Sequence, residues 1–411
     1  ADTVIDFGAG SLIVPAGPVP FALELRGSLV HFGGAATIDR PLVAPGNFGQ
    51  GPGEVHVTGS FALRAPRTSG PTGASFVTLG SFTNDGFVRL TGQVSDAPIV
   101  LRCDGGLRNR GVMVLERGAM AGERRVIGLS ENTGEIHIDA DAVILRSGTT
   151  QAPVALVNTG ALSVLAGASL VVSGANATLV HEDGLIDCGE VVEIQKMGFR
   201  MTGGVVRGHL EVLLGAVELL GGVFEGSLSV EDATVVAAGV LPMDGLVLNN
   251  CDLSLAGTES GDVTLRSFSA LHGGIGPDCR LTIQNPDYNL PWSGDDDIAG
   301  QLIVYGGVQW DAARTNLGVI DVQDGFVIGP IINRGLVRLR ANTIFGAPGG
   351  HLDLGGVVDV DADARARIDA QSATVSGVIR LRPTNVTFNP IGQYQLSLLS
   401  GDCTIDGATL E

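Results

Sequence analysis

The sequence predicts an all-β protein: a single elongated parallel β-solenoid with an N-terminal cap and one insertion loop. Three observations predict it. A five-residue unit, Gly-x-φ-x-φ with φ apolar, recurs along the chain. Asparagine stands two residues before several of its glycines. No segment carries a sustained 3.6-residue apolar period with helix caps.

The unit reads GEVHV at Gly53, GFVRL at Gly86, GVMVL at Gly111, GEIHI at Gly134 and GALSV at Gly160. It continues as GHLEV at Gly208, GSLSV at Gly226, GDVTL at Gly261, GQLIV at Gly300, GVIDV at Gly318 and GLVRL at Gly335. GHLDL at Gly350, GVVDV at Gly356 and GVIRL at Gly377 close the series. Alternation of this kind marks a strand with one buried face. The leading glycine is expected to permit the tight turn that precedes the strand. Successive glycines from Gly86 to Gly160 lie 25, 23 and 26 residues apart, and Gly300 to Gly318 spans 18. Periods of roughly 20–50 residues signal stacked arrays, in which each unit buries its apolar face on its neighbours. Irregular coil length favours the right-handed type over strict hexapeptide left-handed helices. A string of β-sandwiches would instead need hairpin turns and Greek-key returns.

A second strand often follows the first across a corner of small residues, as in "GEIHIDADAVIL", "GALSVLAGASLVV" and "GSLSVEDATVVAAG". In the first of these, Ile136, Ile138, Val143 and Leu145 are expected to point inward, and His137, Asp139 and Asp141 outward. Asn84, Asn109, Asn132, Asn158 and Asn333 precede the repeat glycines. Asparagine tolerates left-handed turn geometry and can stack its amide on the neighbouring coil.

Composition narrows the function classes. The 411 residues include 61 glycines without a Gly-X-Y period, which excludes collagen. Hydrophobic content of 44% supplies ample core, so disorder is not expected. With aromatics at 5%, that core must come from Val, Ile, Leu and Ala. The net charge of −19 repels phosphate backbones and anionic membrane surfaces, so nucleic acid and membrane are poor partners. No apolar run approaches the roughly 18–20 residues of a membrane span. The chain starts at Ala1 with neither Met nor signal peptide, and a processed or trimmed N-terminus is expected. Cys103, Cys188, Cys251, Cys279 and Cys403 form no CxxC. They are expected to be buried free thiols, with a disulfide between distant coils as the open alternative.

Along the chain, eight of the 18 prolines fall between Pro15 and Pro71, where the repeat is blurred. Residues 1–52 are therefore expected to be a cap or divergent coils covering an open sheet edge. Residues 53–284 read as solenoid, 285–299 ("NPDYNLPWSGDDDIA") as an insertion loop, and 300–411 as solenoid again. The last residues show no evident cap, so a partner or a continuation of the chain is expected to cover them.

The densest local anomaly is 288–310. It holds both tryptophans, Trp292 and Trp310, together with Tyr288, Tyr305, Asp295, Asp296 and Asp297. Aromatic faces beside carboxylates suit sugar stacking with hydroxyl hydrogen bonds. The plainer alternative is a loop folded over a coil, its aromatics filling a local core. The acidic triplet lacks EF-hand spacing and reads as a solvated turn rather than a calcium site. Asp359, Asp361 and Asp363 alternate and share one face, expected to be solvated. No HExxH, GxSxG or P-loop occurs, so no metal or cofactor is implied. The N-T-D, G-H-G and R-I-K set of polygalacturonase-type β-helices is likewise absent. Arg314 in "WDAARTN" is at best a loose match to a pectate-lyase-like base.

The repeat text, as in "NTGEIHIDADAVI" and "NTGALSVLAGASLVVSG", resembles secreted bacterial β-helix proteins, autotransporter passenger domains and filamentous-haemagglutinin-like adhesins among them. The resemblance covers most of Gly53 to Gly407 and is one of architecture. It implies an exported, extracellular or cell-surface rod used for adhesion, presentation or structure; the absent catalytic motifs and the 288–310 segment add the expectation of a non-catalytic role with a polysaccharide or cell-surface partner. A polysaccharide lyase or glycoside hydrolase is the alternative, and a phage or virion fibre a third.

Overall fold

The computed structural model describes the backbone of 54–381, apart from 65–73, 79, 93–97, 119–121, 147, 150–151, 239–240, 243–244, 268, 295, 311 and 362–363. It also describes short strands between 3 and 50, and those at 385–388 and 396–398. The chain divides into two compact units, Ala1–Ala216 and Val217–Glu411. The fold is all-β, a parallel β-solenoid.

In Ala1–Ala216 the strands stack coil on coil in parallel register. One column runs Val88, Met113, Ile136, Leu162, Ile186 and Val206. All of these side chains are buried. The same holds for the φ positions of every repeat whose burial is described, from Val55 and Val57 to Val358, Val360 and Ile379. Full burial of such an aliphatic side chain stabilises by about 1.5–3 kcal/mol. Between residues 3 and 50 the strands pair in the same parallel manner, Thr3–Asp6 on Leu23–Arg26 and Ser11–Val14 on Leu29–Phe32.

Gly208 and Gly261 have the positive φ of the expected turn, but one column of repeat glycines has a different cause. Gly86, Gly111, Gly134 and Gly160 do not have positive φ. They form a column in which a Cβ on Gly134 would lie 2.0 Å from the carbonyl oxygen of Gly111, and one on Gly160 2.1 Å from that of Gly134. The coils simply approach too closely there for any side chain.

Beside that column runs a buried amide ladder. Asn84 Nδ2 donates to Asn109 Oδ1, Asn109 to Asn132 and Asn132 to Asn158, each at 2.7 Å. Each of these three amides also donates to a main-chain carbonyl, of Val112, Glu135 and Ala161 respectively. The asparagines sit at strand ends with ordinary negative φ, so stacking explains them and left-handed geometry does not. The ladder begins at Asn84, whose register partner on the coil before is Val57. It ends at His181, which lies 3.1 Å from Asn158 Nδ2 through Nδ1 and 3.1 Å from the Val205 carbonyl through Nε2. A neutral imidazole protonated on Nε2 satisfies both contacts. Burial pushes the His181 pKa below its ordinary value. In Val217–Glu411 the same device recurs, Asn316 Nδ2 donating to Asn333 Oδ1 at 2.7 Å.

Three local expectations need correction. Ile136 and Ile138 point inward as expected, both 0% exposed, but the next strand is shifted by one residue. Ala142 and Ile144 are buried, while Val143 and Leu145 are partly exposed. Four consecutive apolar residues offer no alternation to read, and the buried corner residue Ala140 sets the phase. Second, 285–299 is not a loop throughout. A strand runs Cys279–Ser293, and the extra length is absorbed by a register shift between Asn285 and Asn289. Third, the acidic row is not uniformly solvated. Asp359 is 8% exposed, and Asp361 lies 3.6 Å from Arg340, which also pairs with the buried Asp321 at 3.0 Å. Asp363 falls outside the described residues.

Cys103, Cys188, Cys251 and Cys279 are buried and unpaired, and Cys403 lies outside the described residues. Desolvation pushes the Cys188 and Cys279 thiols up to about 12 and that of Cys103 further. These thiols pack as small apolar groups. Among the described residues, no helix is long and apolar enough to cross a membrane.

Candidate functional site

The segment singled out by its aromatics lies in Val217–Glu411. Trp292 is the penultimate residue of the strand Cys279–Ser293, and Trp310 directly follows the strand Gln301–Gln309. The two rings meet edge to face at 5.4 Å and 83°. They are 3% and 2% exposed, and each indole N–H donates to a carbonyl, Trp292 to Gly273 and Trp310 to Pro330. A buried indole needs such a partner.

Arg314 explains their arrangement. Its guanidinium lies 4.2 Å from the Trp292 ring centre and 5.9 Å from that of Trp310. It is fully buried and donates to the carbonyls of Asp296, Ser293 and Gly294. A stacked guanidinium with directed N–H donors suits this position where an ammonium would not. Arg314 thus holds the main chain at Ser293, Gly294 and Asp296, and its side chain is not presented to a substrate. As the loose match to a lyase base, it lacks the access that role needs.

Of the remaining residues, Asp296 and Asp297 are exposed on that turn, and Asp295 lies outside the described residues. Tyr305 is 43% exposed and pairs in register with Gln284 and Asp324, away from the indoles. The side chain of Tyr288 is also outside the described residues. The structure therefore brings Trp292 and Trp310 together and sets Tyr305 apart.

Above the indoles opens a groove of about 700 Å³, lined by Asp252, Ala270, His272, Pro291, Ser293 and Gln309 with the two tryptophans and Gly294 and Ala312. Its walls are outward columns of the solenoid. Asp252 is in register with Ala270, and Pro291 with Gln309. Ser254 is in register with His272, and His272 with Ser293. His272 Nδ1 and Ser293 Oγ lie 2.5 Å apart. A serine beside a histidine is the first half of a nucleophile–base pair, which needs a third group to orient the base. The groove's carboxylate, Asp252, stands in the other column, and the residue facing His272 in its place is Ser254. What the arrangement offers is a set of hydroxyl-binding groups around small apolar residues.

His272, Ser293, Asp252 and Gln309 carried no sequence signal, since they are 16–21 residues apart and meet only through the coil register. His181 and Asn316 were also missed. Asn316 obeys the rule of standing two residues before a repeat glycine, whereas His181 departs from it in residue type and spacing. Among the described residues, no group of three or more His, Cys, Asp or Glu is placed to hold a metal. Set against protein-family models, curated proteins and solved structures, the chain matches none of them.

Proposed function

We propose that this chain is a non-catalytic, exported β-solenoid scaffold of the cell surface or extracellular space, acting in adhesion or structure, with a glycan as its ligand at the 288–310 segment. The observation that carries the reading is the open groove above Trp292 and Trp310, a concave surface of about 700 Å³. Long, rigidly held irregularities on a regular scaffold are where binding concentrates. The non-catalytic part is supported by Arg314, whose guanidinium is committed to main-chain carbonyls. The cell-surface part follows from the repeat text, which resembles secreted adhesins.

A glycan-array screen of the full chain, followed by incubation with any polysaccharide retained, tests both parts. Binding without cleavage is the expected result. An array on which nothing is retained removes the ligand, and shortening of the bound polysaccharide overturns the non-catalytic assignment. Trp292→Ala is not a clean probe, because a buried indole leaves a cavity costing about 3–5 kcal/mol. Tyr305→Ala and His272→Ala leave the core intact.

A further inference from the structure

We infer that the groove takes an uncharged oligosaccharide lying across the strands, along the column Asp252, Ala270, Pro291 and Gln309; this rests on the glycan reading and specifies its site and ligand class. Four features lead there. The column crosses four successive coils, and three strand steps of about 4.8 Å make it roughly 14 Å long. Its middle is apolar and low, formed by Ala270 and Pro291, which suits the C–H face of a pyranose ring. Its ends are a carboxylate and a carboxamide, both able to bind vicinal hydroxyls. Along one side runs the polar pair His272 and Ser293, already joined by a hydrogen bond and so held in place.

Charge decides the ligand class. No lysine or arginine is among the residues lining the groove. The guanidinium of Arg314, stacked on Trp292, donates to the carbonyls of Asp296, Ser293 and Gly294. Asp252 lies in the groove, Asp296 and Asp297 are exposed on the adjoining turn, and the chain carries a net charge of −19. A uronate or sulfated chain would meet carboxylates with no lysine or arginine among the lining residues to pair with. The indoles are 3% and 2% exposed and act by holding the floor rigid, so the sugar is gripped by hydrogen bonds and by Pro291.

The test is calorimetric titration of the full chain with neutral hexasaccharides of β-1,4-glucan, α-1,4-glucan, β-1,4-mannan and β-1,4-xylan, and with polygalacturonate. The variants are Asp252→Ala, Gln309→Ala and Tyr305→Ala, with thermal melts of each. Asp252→Asn serves should the alanine variant fold poorly. The expected result is that at least one neutral hexasaccharide binds and polygalacturonate does not. Asp252→Ala and Gln309→Ala should each weaken that binding about tenfold, the loss of one hydroxyl contact, at unchanged melting temperature. Tyr305→Ala should leave it unaltered. Neutral binding that only Tyr305→Ala disturbs would refute the groove while leaving the glycan reading in place. Binding of polygalacturonate alone would refute the ligand class. Binding of none of these probes would refute this inference, and the glycan reading would stand or fall separately by whether the array retains any glycan.

Discussion

Replacing Asn132 by alanine removes the third rung of the amide ladder, and the cost can be worked from its contacts. Asn132 Nδ2 donates to Asn158 Oδ1 at 2.7 Å and to the Ala161 carbonyl at 3.2 Å, while its Oδ1 accepts from Asn109 at 2.7 Å. After truncation Asn109 Nδ2 keeps the carbonyls of Glu135 and Gly111, but Asn158 Oδ1 loses its donor from this coil in a buried site. One stranded buried acceptor costs about 1–3 kcal/mol, and the vacated volume adds to it, for a total of about 2–4 kcal/mol. Asn132→Asp should behave differently. A carboxylate has no N–H for Asn158 Oδ1 and cannot be desolvated cheaply, so its pKa rises and the protonated form supplies the missing donor. Stability of this variant should therefore increase as pH falls from neutrality towards 5, through the raised carboxyl pKa. Chemical denaturation at several pH values gives the magnitudes. Because stacked coils need not unfold in one step, amide exchange of the strands Arg124–Asn132 and Val154–Asn158 locates the damage. Two variants as stable as the parent, at every pH and with unchanged exchange, would show that the ladder contributes nothing and the reasoning is mistaken.

His181→Asn extends the ladder with the residue used at the preceding rungs, and it tests the histidine's role. Burial holds the native His181 pKa below its ordinary 6.5, so the unfolded chain takes up a proton that the native ring refuses. That contribution is fully present above pH 6.5 and is lost as pH falls through the depressed native pKa. Melts of the parent should thus decline from pH 6.5 downward, and His181→Asn should flatten the decline; identical profiles would count against it. Gly134→Ala places a Cβ 2.0 Å from the Gly111 carbonyl oxygen and should cost at least about 1–3 kcal/mol in denaturation, whereas free accommodation would mean the coils can separate. Ile144→Asp should cost several kcal/mol by burying an unpaired charge, and Val143→Asp much less. The reverse order of melting temperatures would restore the register first expected from the sequence.

Much of the fold was legible because its signal is local and repeated. Val88, Met113, Ile136 and Leu162 each follow their glycine by two residues, and the stacking adds only that they follow one another in space. The glycine column is ambiguous in the sequence: a turn and a steric near-contact between coils demand the same residue, and the sequence does not distinguish them. Val143 and Leu145 were misplaced because the strand Ala142–Leu145 is apolar throughout, which leaves its phase to the corner before it. The aromatic segment was conspicuous in composition, yet which ring is covered depended on Arg314 stacking on Trp292, a contact that 22 residues of sequence separation conceal. The groove depends on register across coils of unequal length, and unequal length is what hides register.

The amide ladder also bears on how such a chain can change its length. An asparagine side chain presents one acceptor towards the preceding coil and one donor towards the next, so every rung is matched to a copy of itself. Duplicating a coil between Asn109 and Asn132 would insert a rung that finds both partners already waiting, and deleting one would let its neighbours join. No buried polar group is orphaned at either junction. Only the ends require special residues, Asn84 facing an apolar Val57 and His181 turning the last donor onto a main-chain carbonyl. The interior can therefore lengthen or shorten by whole coils under the ordinary traffic of gene duplication, while selection on polar pairing acts mainly at the termini of the ladder.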